Sequence, residues 1–103
     1  MDKDKRIYSL ISIAMKSGGL KSGEFAVTDA VKKSISALVI VADDASDNTK
    51  KSYDDMCSFY KCPIRYFGNR ISLGECIGKE LRAAVSILDE GLAAKIIDLI
   101  DEL

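Results

Sequence analysis

The sequence predicts an α/β protein in which helices cover both faces of a small mixed β-sheet, a three-layer α/β/α sandwich. Two short, largely apolar runs, Ala37–Ala42 and Ala83–Leu88, are typical of strands that are buried on both faces. Apolar residues recur at helical spacing over residues 4–17 and again after Asp89. Helices and strands therefore alternate along the chain, and this alternation is what predicts the sandwich.

The first helix is predicted over residues 4–17, because its apolar residues are spaced by three and four. Ser17-Gly18-Gly19 ends it, since glycine favours the end of a helix. Leu20-Lys21-Ser22 is short enough to form only a small edge strand.

A second helix is predicted over Glu24–Ser34, with an apolar stripe that includes Val27 and Val31. Ser22 or Gly23 is the expected N-cap. Glu24 then lies beside the positive end of the helix dipole, where a carboxylate is favourable.

The middle of the chain predicts a strand, a helix and a second strand. Ala37–Ala42 is the first strand, and the polar segment after it begins a helix of about 12 residues that ends near Tyr60. Met56 and Phe59 are expected to face inward. Pro63–Phe67 is the second strand, so the two strands should be parallel with a right-handed crossover.

The last third predicts a short helix, a buried strand and a final helix. Ser72–Glu75 has the S-x-x-E pattern of a capping box, which predicts a helix that starts there and continues to about Lys79. Ala83–Leu88 is the next strand, and Asp89 caps the final helix. The apolar stripe of that helix comprises Leu92, Ala93, Ile96, Leu99, Ile100 and Leu103.

Length and composition limit the chemistry. The 103 residues predict a single domain, 1–103, and the absence of histidine excludes His-based triads and His metal sites. The three cysteines, Cys57, Cys62 and Cys76, form no C-x-x-C motif, so we expect reduced, non-catalytic thiols and no metal or cofactor. The longest apolar runs are about six residues, far short of the roughly 20 that span a membrane. A cytoplasmic protein without a membrane partner is expected.

Charge is distributed unevenly along the chain. Residues 1–88 carry a net charge of +3 and residues 89–103 a net charge of −4, which together give −1. One interpretation is that the acidic final helix only solvates its outer surface. The other is that this helix lies away from a mildly basic functional surface.

Three patterns in the sequence are candidates for a chemical site. Gly74–Lys79 resembles a phosphate loop, but it is one residue too short between its glycines and Glu80 follows the lysine. Asp43-Asp44 could bind Mg²⁺ at a strand end, yet two acids there more often end a strand and start a turn. Basic side chains beside helix termini could hold an anion or merely be solvated. They are Lys16, Lys21, Lys32, Lys33, Lys79 and Arg82.

Three segments resemble the small bacterial YlxQ-type proteins. They are Ile13–Glu24 with its spaced glycines, Ala37–Thr49 with its strand and Asp-Ala-Ser turn, and Leu73–Glu80 with its Leu-Gly and Gly-Lys pairs. The resemblance extends over about residues 5–97. YlxQ-type proteins belong to the large-subunit ribosomal protein superfamily whose members bind kink-turn RNA, and whose fold is of the ribosomal L-thirty-e-like kind.

The resemblance implies a non-catalytic, ribosomal-protein-like RNA-binding protein that acts in ribosome assembly, in translation or on another structured RNA. It implies that the start of the second helix enters the groove of a kinked RNA, and that the loop after the Leu-Gly helix holds an extruded base. Lys21 and Arg82 should then lie on one face at one end of the sheet. The residues expected to contact RNA are Lys21, Gly23, Glu24, Phe25, Thr28, Asp29, Lys32, Lys79, Glu80, Leu81 and Arg82.

Three residues depart from the pattern of archaeal and eukaryotic kink-turn binders. Phe25, Ala26 and Asp29 stand where those proteins commonly have Asn, Glu and Lys, whereas Thr28 agrees. Phe25 could stack on a base but makes no polar contact, and Asp29 would repel phosphate. The alternative function is therefore a protein-interaction domain on the same fold with weakened RNA affinity. Phe25 and parts of the third helix would then be its exposed apolar surface.

Overall fold

The computed structural model describes residues 2–103 and has the predicted three-layer architecture. Helices and strands alternate along nearly the whole chain. Their bounds are α1 Lys3–Lys16, β1 Leu20–Ser22, α2 Glu24–Lys32, β2 Leu38–Val41, α3 Asp47–Tyr60, β3 Ile64–Tyr66, α4 Arg70–Glu75, β4 Ala84–Ile87 and α5 Glu90–Asp101.

The four strands form one mixed sheet in the order β1-β4-β2-β3. β2 and β3 are parallel, as the strand-helix-strand spacing predicts, and Val39 lies opposite Ile64. β4 is antiparallel to both of its neighbours, with Leu38 opposite Ile87 on one side and Ser22 opposite Val85 on the other. β1 is thus the short edge strand that its three residues predict.

The sheet separates two apolar cores, because successive side chains of a strand point to opposite faces. Leu38 and Ile40 of β2 pack in the core that contains the buried residues of α1 and α5. Val39 and Val41 pack in the core that contains those of α2 and α3. Every residue of β2 is buried, so the prediction of a strand covered on both faces is confirmed.

The predicted start and end of α4 are wrong. Asn69 caps the helix by accepting a hydrogen bond from the Ser72 backbone N–H at 2.8 Å, so Ser72 lies inside the helix rather than before it. The helix ends at Glu75 instead of near Lys79 because Gly78 adopts a positive φ of 73° and turns the chain away.

The predicted orientation of Phe59 is also wrong. Tyr53 and Cys57, four residues apart, are the buried residues of α3, with Met56 half-buried beside them. A residue two positions after Cys57 lies on the opposite side of a helix, and Phe59 is accordingly 79% exposed. Its ring packs edge-on against Tyr60 at a centroid distance of 4.9 Å.

Most of the predicted apolar stripe of the last helix is confirmed. Ala93, Ile96 and Leu99 are buried, and the Asp89 carboxylate caps the helix by accepting from the Leu92 N–H at 2.8 Å. Leu103 departs from the stripe, because the helix ends at Asp101 and leaves this side chain exposed. Within residues 2–103, none of the helices is both long and apolar enough to cross a membrane.

Candidate functional site

Two segments that are distant in sequence meet at one end of the sheet. They are the start of α2, and the loop of residues 76–83 between α4 and β4, here called the α4–β4 loop. β1 and β4 are antiparallel, so the end of β1 lies beside the start of β4. The Arg82 guanidinium donates a hydrogen bond from Nε to the Ser22 hydroxyl at 3.3 Å, across 60 residues of sequence. Ser22 follows Lys21 in β1, so the backbone of Lys21 also lies near this end, and the shared face of Lys21 and Arg82 stays a prediction.

Glycine is required where β1 turns into α2. Gly23 has φ 89° and ψ 154°, a backbone conformation that is essentially confined to glycine. Because glycine has no side chain to cap the helix, the N–H groups of the first turn find no partner within α2. These N–H groups give the start of α2 a partial positive charge. Neither Ser22 nor any other side chain of residues 2–103 caps this helix.

Gly74 and Gly78 set the shape of the α4–β4 loop. A Cβ atom at Gly74 would clash with the backbone carbonyl of Glu80, so the loop can fold back over α4 only at a glycine. The Gly74 carbonyl accepts hydrogen bonds from the Ile77 and Lys79 N–H groups at 3.2 and 2.9 Å. Close packing thus explains the glycine of the Leu-Gly pair, and the positive φ of 73° explains the glycine of the Gly-Lys pair.

The tip of the α4–β4 loop is open to solvent. Lys79, Glu80 and Leu81 are all exposed, and Leu81 retains 55% of its accessible surface although it is apolar. The Arg82 N–H donates to the Arg70 carbonyl at 3.0 Å and fixes the end of the loop to the start of α4. The loop therefore presents a cation, a carboxylate and an apolar side chain to solvent, next to the Arg82 that contacts Ser22.

The predicted residues of α2 lie on two different stripes of the helix. Gly23, Glu24, Thr28 and Lys32 line a groove of about 550 Å³ between α2 and α3. The other lining residues are Asn48, Thr49, Ser52, Tyr53, Met56, Ala83 and Ala84. Phe25 and Asp29 are not among them, so they face the solvent outside this groove. Phe25 is 86% exposed, the most exposed large apolar side chain of residues 2–103.

Asp29 is paired along its own helix. Its carboxylate lies 3.0 Å from the Lys33 ammonium, four residues later, and the Lys33 side chain is largely exposed while that of Asp29 is about half exposed. Such a pair stabilises a helix by only a few tenths of a kcal/mol. Asp29 therefore reduces the positive potential of α2 without forming a strong contact of its own.

The start of α3 adds groove residues that the sequence reasoning missed. The Ser46 hydroxyl caps α3 by accepting from the Thr49 N–H at 3.1 Å, and this cap places Asn48 and Thr49 at the groove. At the base of the groove, burial, together with the nearby Glu24 charge, raises the pKa of the Tyr53 hydroxyl to about 12. The sequence signal for these groove residues was the Asp-Ala-Ser turn followed by the Asn-Thr pair. The serine of that turn caps α3, and the cap fixes the positions of the residues that follow it.

One residue of the acidic pair at the end of β2, Asp44, has a structural role. Asp44 accepts a hydrogen bond from the Arg70 backbone N–H at 2.9 Å, and its carboxylate lies 3.4 Å from the Arg70 guanidinium. It thereby ties the end of β2 to the start of α4, as a turn residue would. Residues 2–103 contain no group of His, Cys, Asp or Glu side chains arranged to hold a metal ion.

The acidic last helix lies away from this end of α2. α5 packs with α1 in the core on one face of the sheet, whereas α2 and α3 cover the other face. The net charge of −4 carried by residues 89–103 is therefore separated from α2 by the sheet.

Comparison with known proteins decides the family. Residues 5–97 match the family described as "Ribosomal protein L7Ae/L30e/S12e/Gadd45 family". The chain belongs to this family. The matched range is the one over which the motif resemblance extends, and it contains both segments of the candidate site.

Curated relatives in the family match over most of their length. The protein named "RNA-binding protein YlxQ" from Bacillus subtilis (strain 168) is 37% identical over 94 residues, which cover 91% of this chain and 94% of that one. "Large ribosomal subunit protein eL8" from Thermoplasma volcanium is 30% identical over 91 residues, covering 87% of this chain and 75% of that one.

Solved structures share the fold of the family. A protein of unknown function from Bacillus halodurans C superposes with a TM-score of 0.88 at 38% identity, covering 92% of this chain and 96% of that one. The "Giardia lamblia 15.5kD RNA binding protein" superposes with a TM-score of 0.80 at 20% identity, over 97% of this chain and 88% of that one, and this likeness concerns the fold alone.

Proposed function

We propose that this chain is a non-catalytic RNA-binding protein that recognises a kink-turn or a similarly structured RNA. The contact surface comprises the start of α2 and the α4–β4 loop. The observation that carries the proposal is the Arg82–Ser22 hydrogen bond, because it joins the α4–β4 loop to the residue just before α2. The RNA-contacting residues are Lys21, Gly23, Glu24, Phe25, Thr28, Asp29, Lys32, Lys79, Glu80, Leu81 and Arg82.

Each part of the surface suits one feature of a folded RNA. The open N–H groups at the start of α2 attract a phosphate, and Lys21 and Arg82 add positive charge beside them. Leu81, exposed on the α4–β4 loop, offers an apolar surface to a base that has left its stack. Recognition of this kind reads the shape of the RNA and its splayed bases more than a duplex sequence.

The names of the relatives support the same proposal. Relatives named as RNA-binding and as a large-subunit ribosomal protein match 91% and 87% of this chain. We therefore propose that residues 1–103 act as one RNA-binding unit in the cytoplasm, on the ribosome or with other components of translation.

The test is binding of a kink-turn RNA hairpin at two salt concentrations, with a straight duplex of equal length as the reference RNA. We expect tighter binding to the kink-turn and a strong loss of affinity as salt rises, because phosphate contacts release counterions. Lys21→Glu and Arg82→Glu should each weaken binding by about 1 kcal/mol or more, since a phosphate contact becomes a repulsion.

Lys95→Glu is the matched control for these charge reversals. Lys95 is exposed on α5, on the opposite face of the sheet, and its reversal changes the net charge by the same amount. Equal effects of all three reversals would show only a general charge effect and would reject the proposed surface. Equal affinity for the kink-turn and the duplex would reject recognition of bent RNA.

A second candidate function is a protein-interaction domain that has lost much of its RNA affinity. The observation that favours it is the 86% exposure of Phe25 in the first turn of α2, next to the carboxylate of Glu24. An apolar ring in such a position suits a protein partner as well as a base. Absence of RNA binding, together with loss of a co-purifying protein in Phe25→Ala, would favour this function.

A further inference from the structure

The end of α3 brings two cysteines together. Lys61 adopts the left-handed conformation at φ 58°, and the Cys62 N–H then donates back to the Cys57 carbonyl at 2.8 Å. The Lys61 N–H donates to the Ser58 carbonyl at 3.3 Å, which completes the paired hydrogen bonds of a Schellman motif. In this motif the side chains at the two outer positions contact each other. Here both of these side chains are thiols.

The two thiols have different environments. Cys57 is 1% exposed in the core between the sheet and α3, whereas Cys62 is half-buried and reaches solvent. The hydrogen bond between the two side chains, with the Cys57 thiol as donor, lowers the pKa of Cys62 and raises that of Cys57. When protonated, the Cys62 thiol donates to the Ser36 hydroxyl and carbonyl, both at 3.6 Å, and to the Pro63 carbonyl at 3.5 Å.

Cys76 provides a contrast within the same chain. It is half-buried like Cys62, but its thiol donates to the Leu73 carbonyl at 3.2 Å and has no cysteine beside it. Burial raises the pKa of Cys76 to about 11. A buried thiol whose pKa is raised stays protonated at neutral pH and is a poor nucleophile.

We propose that Cys57 and Cys62 are a redox-modification site, which closes to an intramolecular disulfide when the protein meets a peroxide. The Cys62 thiolate attacks one peroxide oxygen, the O–O bond breaks, and the sulfur becomes a sulfenic acid while water or an alcohol leaves with a proton. The Cys57 sulfur then attacks the Cys62 sulfur, and the sulfenic oxygen leaves as water with the Cys57 proton. Two thiols are oxidised, and one peroxide is reduced.

The cysteine pair lies away from the start of α2 and from the α4–β4 loop. Cys62 lies beside Ser36, which precedes β2, whereas Ala84 at the start of β4 pairs with Val41 at the end of β2. The cysteines and the start of α2 are therefore at opposite ends of the sheet. The inference does not rest on RNA binding, and its test needs no RNA.

The test is peptide mapping of the reduced full chain after one equivalent of hydrogen peroxide, followed by alkylation and trypsin. Cleavage after Lys51, Lys61 and Arg65 places Cys57 in peptide 52–61 and Cys62 in peptide 62–65. We expect these two peptides to appear joined by a disulfide that dithiothreitol releases. Cys76, in peptide 71–79, should remain free and alkylated.

Reactivity before oxidation gives a second readout. Cys62 should react with iodoacetamide at pH 7 at least about tenfold faster than Cys76, because more of it is thiolate. The matched variants are Cys57→Ser and Cys76→Ser. In Cys57→Ser, dimedone should trap the sulfenic acid on Cys62, because the resolving thiol is gone, whereas Cys76→Ser should form the linked peptides as the natural chain does.

Three results would overturn the proposal. They are persistent trapping of Cys62 sulfenic acid in the natural chain without linked peptides, oxidation of Cys76 as fast as Cys62, or disulfides formed only between two copies of the chain. The first would mean that Cys57 cannot reach Cys62, and the second that the pair has no special reactivity. The third would mean that the Schellman contact does not direct the bond.

Discussion

Single residues set the charge that α2 presents, and Asp29 is the clearest case. Asp29→Lys removes a negative charge and adds a positive one on the second turn of α2. If the outer stripe of α2 faces RNA, affinity for a kink-turn hairpin should rise by about 1 kcal/mol at low salt. The gain should shrink at high salt, where exposed charges are screened. Titration of both proteins at two salt concentrations measures it.

Asp55→Lys is the matched control for Asp29. Asp55 also forms an exposed pair with a lysine four residues away, Lys51, at the same distance of 3.0 Å, but on α3. Both changes therefore break one surface ion pair and shift the net charge equally. An equal gain from both variants, or none from Asp29→Lys, would mean that Asp29 does not face the RNA.

At the scale of elements, the α4–β4 loop depends on close packing against α4. Gly74→Ala places a methyl group against the Glu80 carbonyl, and the loop must move to avoid it. We expect a loss of about 1–3 kcal/mol in the free energy of unfolding, as for other overpacked sites. Urea denaturation measures this loss. RNA affinity should fall as well, because Leu81 and Arg82 move with the loop.

Gly19→Ala shows what a methyl group does where there is room. A Cβ atom at Gly19 would lie 3.6 Å or more from its neighbours, an ordinary van der Waals distance. The free energy of unfolding should therefore change by less than about 1 kcal/mol. If Gly74→Ala were as stable as Gly19→Ala, the close approach of Glu80 to α4 would not be needed for folding.

At the scale of the whole molecule, an ion pair joins the last helix to the edge of the sheet. Arg65 of β3 contacts the Asp101 carboxylate through Nε at 2.8 Å and Nη2 at 3.1 Å. The hydrogen bond from Arg65 lowers the pKa of Asp101 in the folded protein. A lowered pKa stabilises the folded state above the unfolded pKa of about 4, and this contribution is lost as the pH falls.

Asp101→Asn should therefore be less stable than the natural chain near pH 7, and the difference should disappear as the pH falls below about 4. Unfolding measured across this pH range tests the prediction. Asp98→Asn is the control, because it removes the same charge from the end of α5 and Asp98 forms no ion pair within residues 2–103. Identical pH profiles for the two variants would mean that the Arg65 contact does not stabilise the fold.

The local patterns of the sequence determined most of the elements. Some features depend only on residues a few positions apart, so they can be predicted from the sequence. They are the alternation of Leu38–Val41 between the two cores, the apolar stripe of α5 and its Asp89 cap. The glycines at 23, 74 and 78 also stood out in sequence as a cap candidate and as parts of motifs. The structure gives the reason, since only glycine fits their backbone conformation or close packing. Family membership followed from these same segments.

The tertiary structure decided which of these segments meet. Asn69 caps α4 in the folded chain, whereas the pattern around Ser72 alone pointed to a helix that starts at Ser72. The contact of Arg82 with Ser22 exists because β1 pairs antiparallel with β4 at the sheet edge. Strand order is a choice among long-range pairings, and the hydrogen-bonding backbone groups that make those pairings are the same in every residue except proline. The sequence by itself therefore determined the elements and their buried faces, whereas only the folded sheet decided that α2 and the α4–β4 loop form one surface.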